Sequence, residues 1–203
     1  MKKPLALSLL FFFVLSNLSA WEWQRPVGYL EGQVSYFYPL SKKMRKIYKE
    51  GWVHYEVRTH QTFRNGWSLW QAVGWGNDVG KTTHHPHHRS KLQVLALRLG
   101  LQYQYCLTPC LRLYLGGSVN YNFLRIRERS YFFRSHSTDK SFGVLAQTGF
   151  YYLFWNQFFM DVNLEYVYQN FRFSHRRHYS FYENGRCYNL SGIKAGLGLG
   201  IIF

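Results

Sequence analysis

A chain of 203 residues is one domain's worth of polypeptide, and its 17 Tyr, 17 Phe and 7 Trp beside only 5 Pro set it apart from ordinary soluble domains. A formal net charge of +15 excludes an evenly basic surface from lipid, so a membrane-held chain must gather its charge at one end. No linker or solenoid repeat divides it, and past the N-terminus no apolar run nears the roughly 20 residues of a membrane helix, so only strands could cross a bilayer.

In chain order, Lys2 and Lys3 precede an apolar run over residues 4–15, followed by the small residues Ser19 and Ala20. This predicts a secretory signal peptide over 1–20 and a mature domain over 21–203; Leu18 is larger than the residue usual at its position. Period-two alternation then recurs over 27–38, 52–62, 67–76, 91–105, 111–124, 141–153, 158–169 and 190–203, without amphipathic helical periodicity. The fourth segment sets Leu95, Leu97, Leu99, Leu101, Tyr103 and Tyr105 against Val94, Ala96, Arg98, Gly100, Gln102 and Gln104. One face is apolar and the other mixed.

Three features predict that the apolar face points outward. The gaps 39–51, 77–90, 125–140 and 170–189 are long, while 63–66, 106–110 and 154–157 are tight, as in a barrel with long extracellular loops and short periplasmic turns. Aromatic residues fall at both ends of the apolar face: Tyr36, Tyr38, Trp75, Tyr121, Phe123, Tyr166 and Tyr168 at one, and Tyr103, Tyr105, Phe150, Tyr152 and Phe203 at the other. The inward set holds matched charges, with Glu31, Glu56, Asp161 and Glu165 facing Arg58, Arg98, Arg112 and Lys194. Eight strands enclose a bore that side chains just fill, so a paired polar network replaces a pore there. The inward glycines Gly196, Gly198 and Gly200 leave room for partners such as Arg98 and Arg112.

The fold class expected is therefore all-β, an eight-stranded antiparallel transmembrane β-barrel. Its last residues resemble the C-terminal signal of outer-membrane proteins: Gly198, Ile201 and Phe203 match the glycine and two hydrophobic positions, and Gly196 departs from the usual polar one. The 21–203 region as a whole resembles the eight-stranded bacterial outer-membrane barrel superfamily that includes the OmpA barrel domain, OmpX and OmpW. That resemblance implies the outer membrane as location and the barrel assembly machinery as a partner.

The four long gaps hold sixteen basic residues against five acidic ones. Lys42, Lys43, Arg45, Lys46, Lys49, Arg125, Arg127, Arg129, Arg176 and Arg177 are the candidate polyanion-binding residues, for lipopolysaccharide or anionic host glycans, with no nucleic-acid partner expected. Apart from Asp78, His84, His85, His87 and His88 have no nearby acidic or thiol ligand that would complete a site, so neither metal nor cofactor is expected. Cys106 and Cys110 flank a tight turn, pointing inward and opposite one another, and an oxidising periplasm would join them as a disulfide; Cys187 stays single in the fourth loop. His178 and Ser180 give a His-x-Ser spacing like that of lipid A deacylases, yet they lie in a basic loop off the lipid face, so no enzyme is expected. The reading is a non-enzymatic, adhesin-like surface barrel. The alternatives are a narrow OmpW-like channel for small or hydrophobic solutes and, third, a lipid-modifying enzyme.

Overall fold

The computed structural model describes residues 27–48, 51–81, 89–129, 134–155, 157–172 and 187–203, and in it the chain closes into an antiparallel β-barrel. The strands are β1 (Val27–Pro39), β2 (Trp52–Thr62), β3 (Trp67–Lys81), β4 (Arg89–Thr108), β5 (Leu111–Arg129), β6 (Arg134–Trp155), β7 (Phe158–Arg172), β8 (Cys187–Asn189) and β9 (Gly192–Ile202). A short helix, α1 (Lys42–Tyr48), stands between β1 and β2. Neighbours in sequence pair from β1 to β7, and β9 closes the ring between β1 and β7. Because β8 and β9 lie end to end along β7, they form the eighth stave together. Residues 1–20, expected to be a leader, are outside the described residues.

Alternation decides the faces as expected. On β4, Leu95, Leu99, Leu101 and Tyr103 are exposed, while Val94, Ala96, Arg98, Gln102 and Gln104 are buried. Leu115 is 69% exposed and Leu199 64%, so the outer wall is a continuous apolar band and the polar residues turn inside. A water-soluble barrel would reverse this, and the band is what lipid stabilises. Trp75, Phe142, Tyr166 and Tyr168 ring its long-loop end, and Tyr103, Tyr105, Tyr152 and Phe203 its short-turn end.

The staves run further than the apolar alternation suggested. β4, β5 and β6 have 20, 19 and 22 residues, against the roughly 9 to 11 needed to cross a bilayer, so much of the expected loops 77–90 and 125–140 is ladder. Alternation persists there in another chemistry, with Gly80 and Ser90 buried while Asn77, Val79 and Arg127 are exposed. An apolar criterion ends where the bilayer ends and not where hydrogen bonding does. The 39–51 gap also holds a helix that no longer periodicity announced, docked by Met44 and Tyr48, which are four apart and both 2% exposed.

At 190–191 the ladder breaks. Asn189 Oδ1 accepts the Ser191 N–H at 2.7 Å, and the Leu190 N–H turns to the Gln169 carbonyl. The β2–β3 turn needs glycine at Gly66, where φ is +84° and an added Cβ would lie 2.9 Å from the Gln104 carbonyl oxygen.

Candidate functional site: a filled bore beneath a basic rim

Halfway along the bore, β2, β4, β7 and β9 bring five of the eight expected charges together. Arg58 donates Nη2 to Glu56 at 2.9 Å and to Glu165 at 2.7 Å. Arg98 Nη1 lies 2.7 Å from Glu56 and 3.0 Å from Glu165, and Lys194 Nζ lies 3.1 Å and 2.8 Å from the same pair. Arg58 also stacks 4.6 Å over the Trp70 ring. Two carboxylates thus hold three cations, and none of these five side chains exceeds 4% exposure. Charges so buried persist only when paired and hydrogen-bonded, which makes the cluster a plug and not a vacant binding site.

The other three charges have different partners. Glu31 Oε2 is 3.2 Å from His60 Nε2, and Asp161 accepts from Tyr114 Oη at 2.9 Å and Asn163 Nδ2 at 2.7 Å. Arg112, nearest the short-turn end, donates to Tyr29 Oη at 2.7 Å and meets no carboxylate in this network. The matched four-against-four arrangement is therefore a central cluster with two satellites and one outlier. Pleat sets the faces, but height along the bore sets the partners. The room beside the glycines goes to Gln33 and Asn163 at Gly196, Glu31 at Gly198 and Phe159 at Gly200, not to arginine.

Sequence reasoning passed over His54, His60 and Trp70. The signal was present, since His54 and His60 alternate in phase with Glu56 and Arg58, and all four are buried. Below the cluster, Tyr29, Tyr114, Tyr151 and Phe159 form a floor, with Tyr114 stacked on Tyr151 at 4.6 Å. Above it, Phe37, Met44, Tyr48, Trp52, Leu92, Leu124 and Phe171 make an apolar cap, pinned by a 2.9 Å bond between the Tyr48 and Ser90 hydroxyls.

At the tight turn, Cys106 and Cys110 are exposed free thiols, and no disulfide joins them. The β4–β5 register that runs unbroken from Arg89 places Cys106 opposite Arg112, and past it the ladder shifts, so the two cysteines are not cross-strand partners as expected. Cys187 begins β8, opposite Arg172, instead of standing in a loop.

The basic candidates divide between two elements. Lys42 and Lys46 are exposed on α1, which also carries Lys43. Arg45 donates Nη1 to Tyr38 Oη at 2.5 Å and lies 5.3 Å over that ring, so it anchors the helix. Arg125 and Arg127 lie on the upper part of β5, and Arg129 ends it opposite Arg89 and Arg134. Lys49, Arg176, Arg177, the histidines 84, 85, 87 and 88, and the His178–Ser180 pair are outside the described residues. Among the described residues no group of three or more His, Cys, Asp or Glu could hold a metal ion.

This architecture, a lipid-facing wall around a polar bore, defines the chain as an eight-stranded antiparallel barrel of the kind found in bacterial outer membranes. No family model and no curated protein matches the sequence. Solved structures share the fold. OprG of Pseudomonas aeruginosa aligns with a TM-score of 0.60 at 13% identity, over 89% of this chain and 97% of that one. Neisserial surface protein A aligns at 0.58 and 14% identity, over 88% and 100%. Ail, the attachment invasion locus protein of Yersinia pestis, aligns at 0.56 and 12%, over 88% and 99%, and is also known in complex with the heparin analogue sucrose octasulfate.

Proposed function

We propose that this chain is a surface barrel of a bacterial outer membrane whose wall is structural and whose basic long-loop end binds polyanions, either lipopolysaccharide or sulfated glycan. The observation that carries this reading is the coupling of a filled bore with a one-ended charge: Glu56, Arg58 and Glu165 are closed to solvent, while Lys42, Lys46, Lys91 and Arg127 are exposed at the rim. A chain that transports through its centre gains nothing from saturating it with paired charges. A chain that captures anions from outside gains from a positive field at its tip. The complex of Ail with a heparin analogue is support by fold analogy alone. The barrel assembly machinery is a further expected partner, through Gly198, Ile201 and Phe203.

The test is heparin binding by the folded protein in detergent across a salt series. Binding is expected to weaken steeply as salt rises, because exposed charges are screened over about 8 Å at 0.15 M. Reversing Lys42, Lys43 and Lys46 to Glu is expected to weaken it further while boiling-sensitive gel migration is unchanged. Salt-insensitive binding, or none, would refute the reading.

A further inference from the structure

Above the aromatic ring, β3, β4, β5 and β6 continue as a wall. Its rungs can be read from the register. Trp75, Leu95, Phe123 and Lys140 share one rung, then Asn77, Gln93, Arg125 and Thr138, then Val79, Lys91, Arg127 and His136, then Lys81, Arg89, Arg129 and Arg134. The lowest of these belongs to the lipid-facing surface, since Trp75 and Leu95 are exposed. Lys91, Arg127 and Lys140 are exposed on the same outer face. Strand alternation sets these cations on the outside of the wall, beside the barrel as well as at its rim.

Two features bear on the chemistry of a neighbour this face would suit. Like charges stand directly across the ladder at Lys91 and Arg127. Such pairs destabilise a sheet unless an anion bridges them. The acidic residues of these strands occupy the other phase, with Asp78 opposite the buried Leu92 and Asp139 opposite the buried Leu124. Asp139 also accepts its neighbour's backbone N–H at 2.8 Å. Second, a groove of about 530 Å³ opens at this height, with Trp75, Leu95 and Phe123 among its apolar lining and Gln93, Arg125 and Lys140 among its polar lining. The Lys140 ammonium lies 5.4 Å over the Phe123 ring, at the boundary between the two. An apolar lip continuous with the lipid-facing wall below and a cationic lip above match an amphiphile whose head is phosphorylated and whose tails run down the barrel.

We infer that the outer face of β4–β6, from the Trp75–Phe123 groove up through Lys91 and Arg127, seats the phosphorylated headgroup of an outer-leaflet glycolipid. The seat deepens the polyanion reading and rests on its placement of the long-loop end outside the cell, but it commits to a lipid held laterally, separate from soluble glycan at α1.

The experiment compares wild type, the variant K91Q/R127Q/K140Q and the α1 variant K42E/K43E/K46E, each full-length in nanodiscs, with lipopolysaccharide, dephosphorylated lipopolysaccharide and de-acylated phosphorylated core saccharide as ligands. The wall variant is expected to lose about a hundredfold in lipopolysaccharide affinity, at about fivefold per basic side chain beside an anionic surface. The α1 variant should retain that affinity. Dephosphorylated lipid and de-acylated saccharide should each bind more weakly than intact lipopolysaccharide. Equal lipopolysaccharide binding by wild type and wall variant overturns the seat, and equal binding of the de-acylated saccharide reduces it to a phosphate site without lipid. Heparin binding, read separately on the α1 variant, reports the soluble-glycan reading, so the two fail in different channels.

Discussion

Glu165 shows what one residue contributes to this bore. It holds Arg58, Arg98 and Lys194 at 2.7 to 3.0 Å with no solvent exposure, and among the described residues Glu56 is the only other carboxylate on those three cations. Replacing Glu165 with Gln leaves three buried cations on one carboxylate, at an expected cost of about 3 to 5 kcal/mol. Replacing Arg98 with Met leaves two cations on two carboxylates, so the expected loss is smaller, about 1 to 3 kcal/mol. Arg112→Ala removes one bond to a tyrosine hydroxyl at the end of the bore and should cost about 1 kcal/mol. Urea unfolding of the three variants in detergent, followed by tryptophan fluorescence, gives the order. Arg112→Ala as the most damaging of the three would refute the partner assignment. Gly198 acts by absence: an added Cβ would lie 2.1 Å from Glu31 Oε1, so the glycine that matches the C-terminal signal also makes room for a buried carboxylate.

Among the elements, α1 is the one whose place depends most on few contacts. It packs mainly on β3 and β1, and its hold on the mouth rests on Met44, on Tyr48 with its bond to Ser90 of β4, and on the Arg45–Tyr38 bond. Truncating Met44 to Ala should cost at least about 2 kcal/mol of packing, which raises the undocked population about thirtyfold. Trypsin cleavage after Lys42, Lys43 or Lys46 should accelerate accordingly in M44A, while gel mobility of the unboiled protein is unchanged. Cleavage at the wild-type rate would mean that the helix is not held by this packing. The contrast with the staves explains what was legible in the sequence. Strands declare themselves by alternation every second residue, and a girdle by aromatics at their ends. A seven-residue helix offers only Met44 and Tyr48 as a signal. Likewise the inward set could be listed from parity, yet that Glu56 and Glu165 share cations while Asp161 turns to Tyr114 depends on stagger between strands distant in sequence, which parity does not contain. The expectation that Cys106 and Cys110 stand opposite one another failed for the same reason: the register of the whole β4–β5 ladder, set far from the turn, puts Cys106 opposite Arg112.

For the whole molecule, the decisive quantity is whether three stacked layers leave a path. The floor of Tyr29, Tyr114, Tyr151 and Phe159, the ion cluster, and the cap docked by α1 each occlude the bore with side chains from different staves. Layers in series obstruct independently, so opening one does not connect the two ends. In planar bilayers the wild-type barrel is therefore expected to show no discrete conductance steps. Arg98→Ala, which thins the middle layer alone, should stay at baseline even though it loosens the fold, and so should M44A, which loosens only the cap. Combining both with Tyr151→Ala in the floor is the first set of changes expected to admit ions, provided that the unboiled protein still migrates as a folded barrel. The channel reading makes the opposite demand, because a pore already present would conduct in the wild type and would widen with Arg98→Ala by itself. Reproducible single-channel steps from the unmodified, heat-modifiable protein would end the structural-wall interpretation and return the bore to transport.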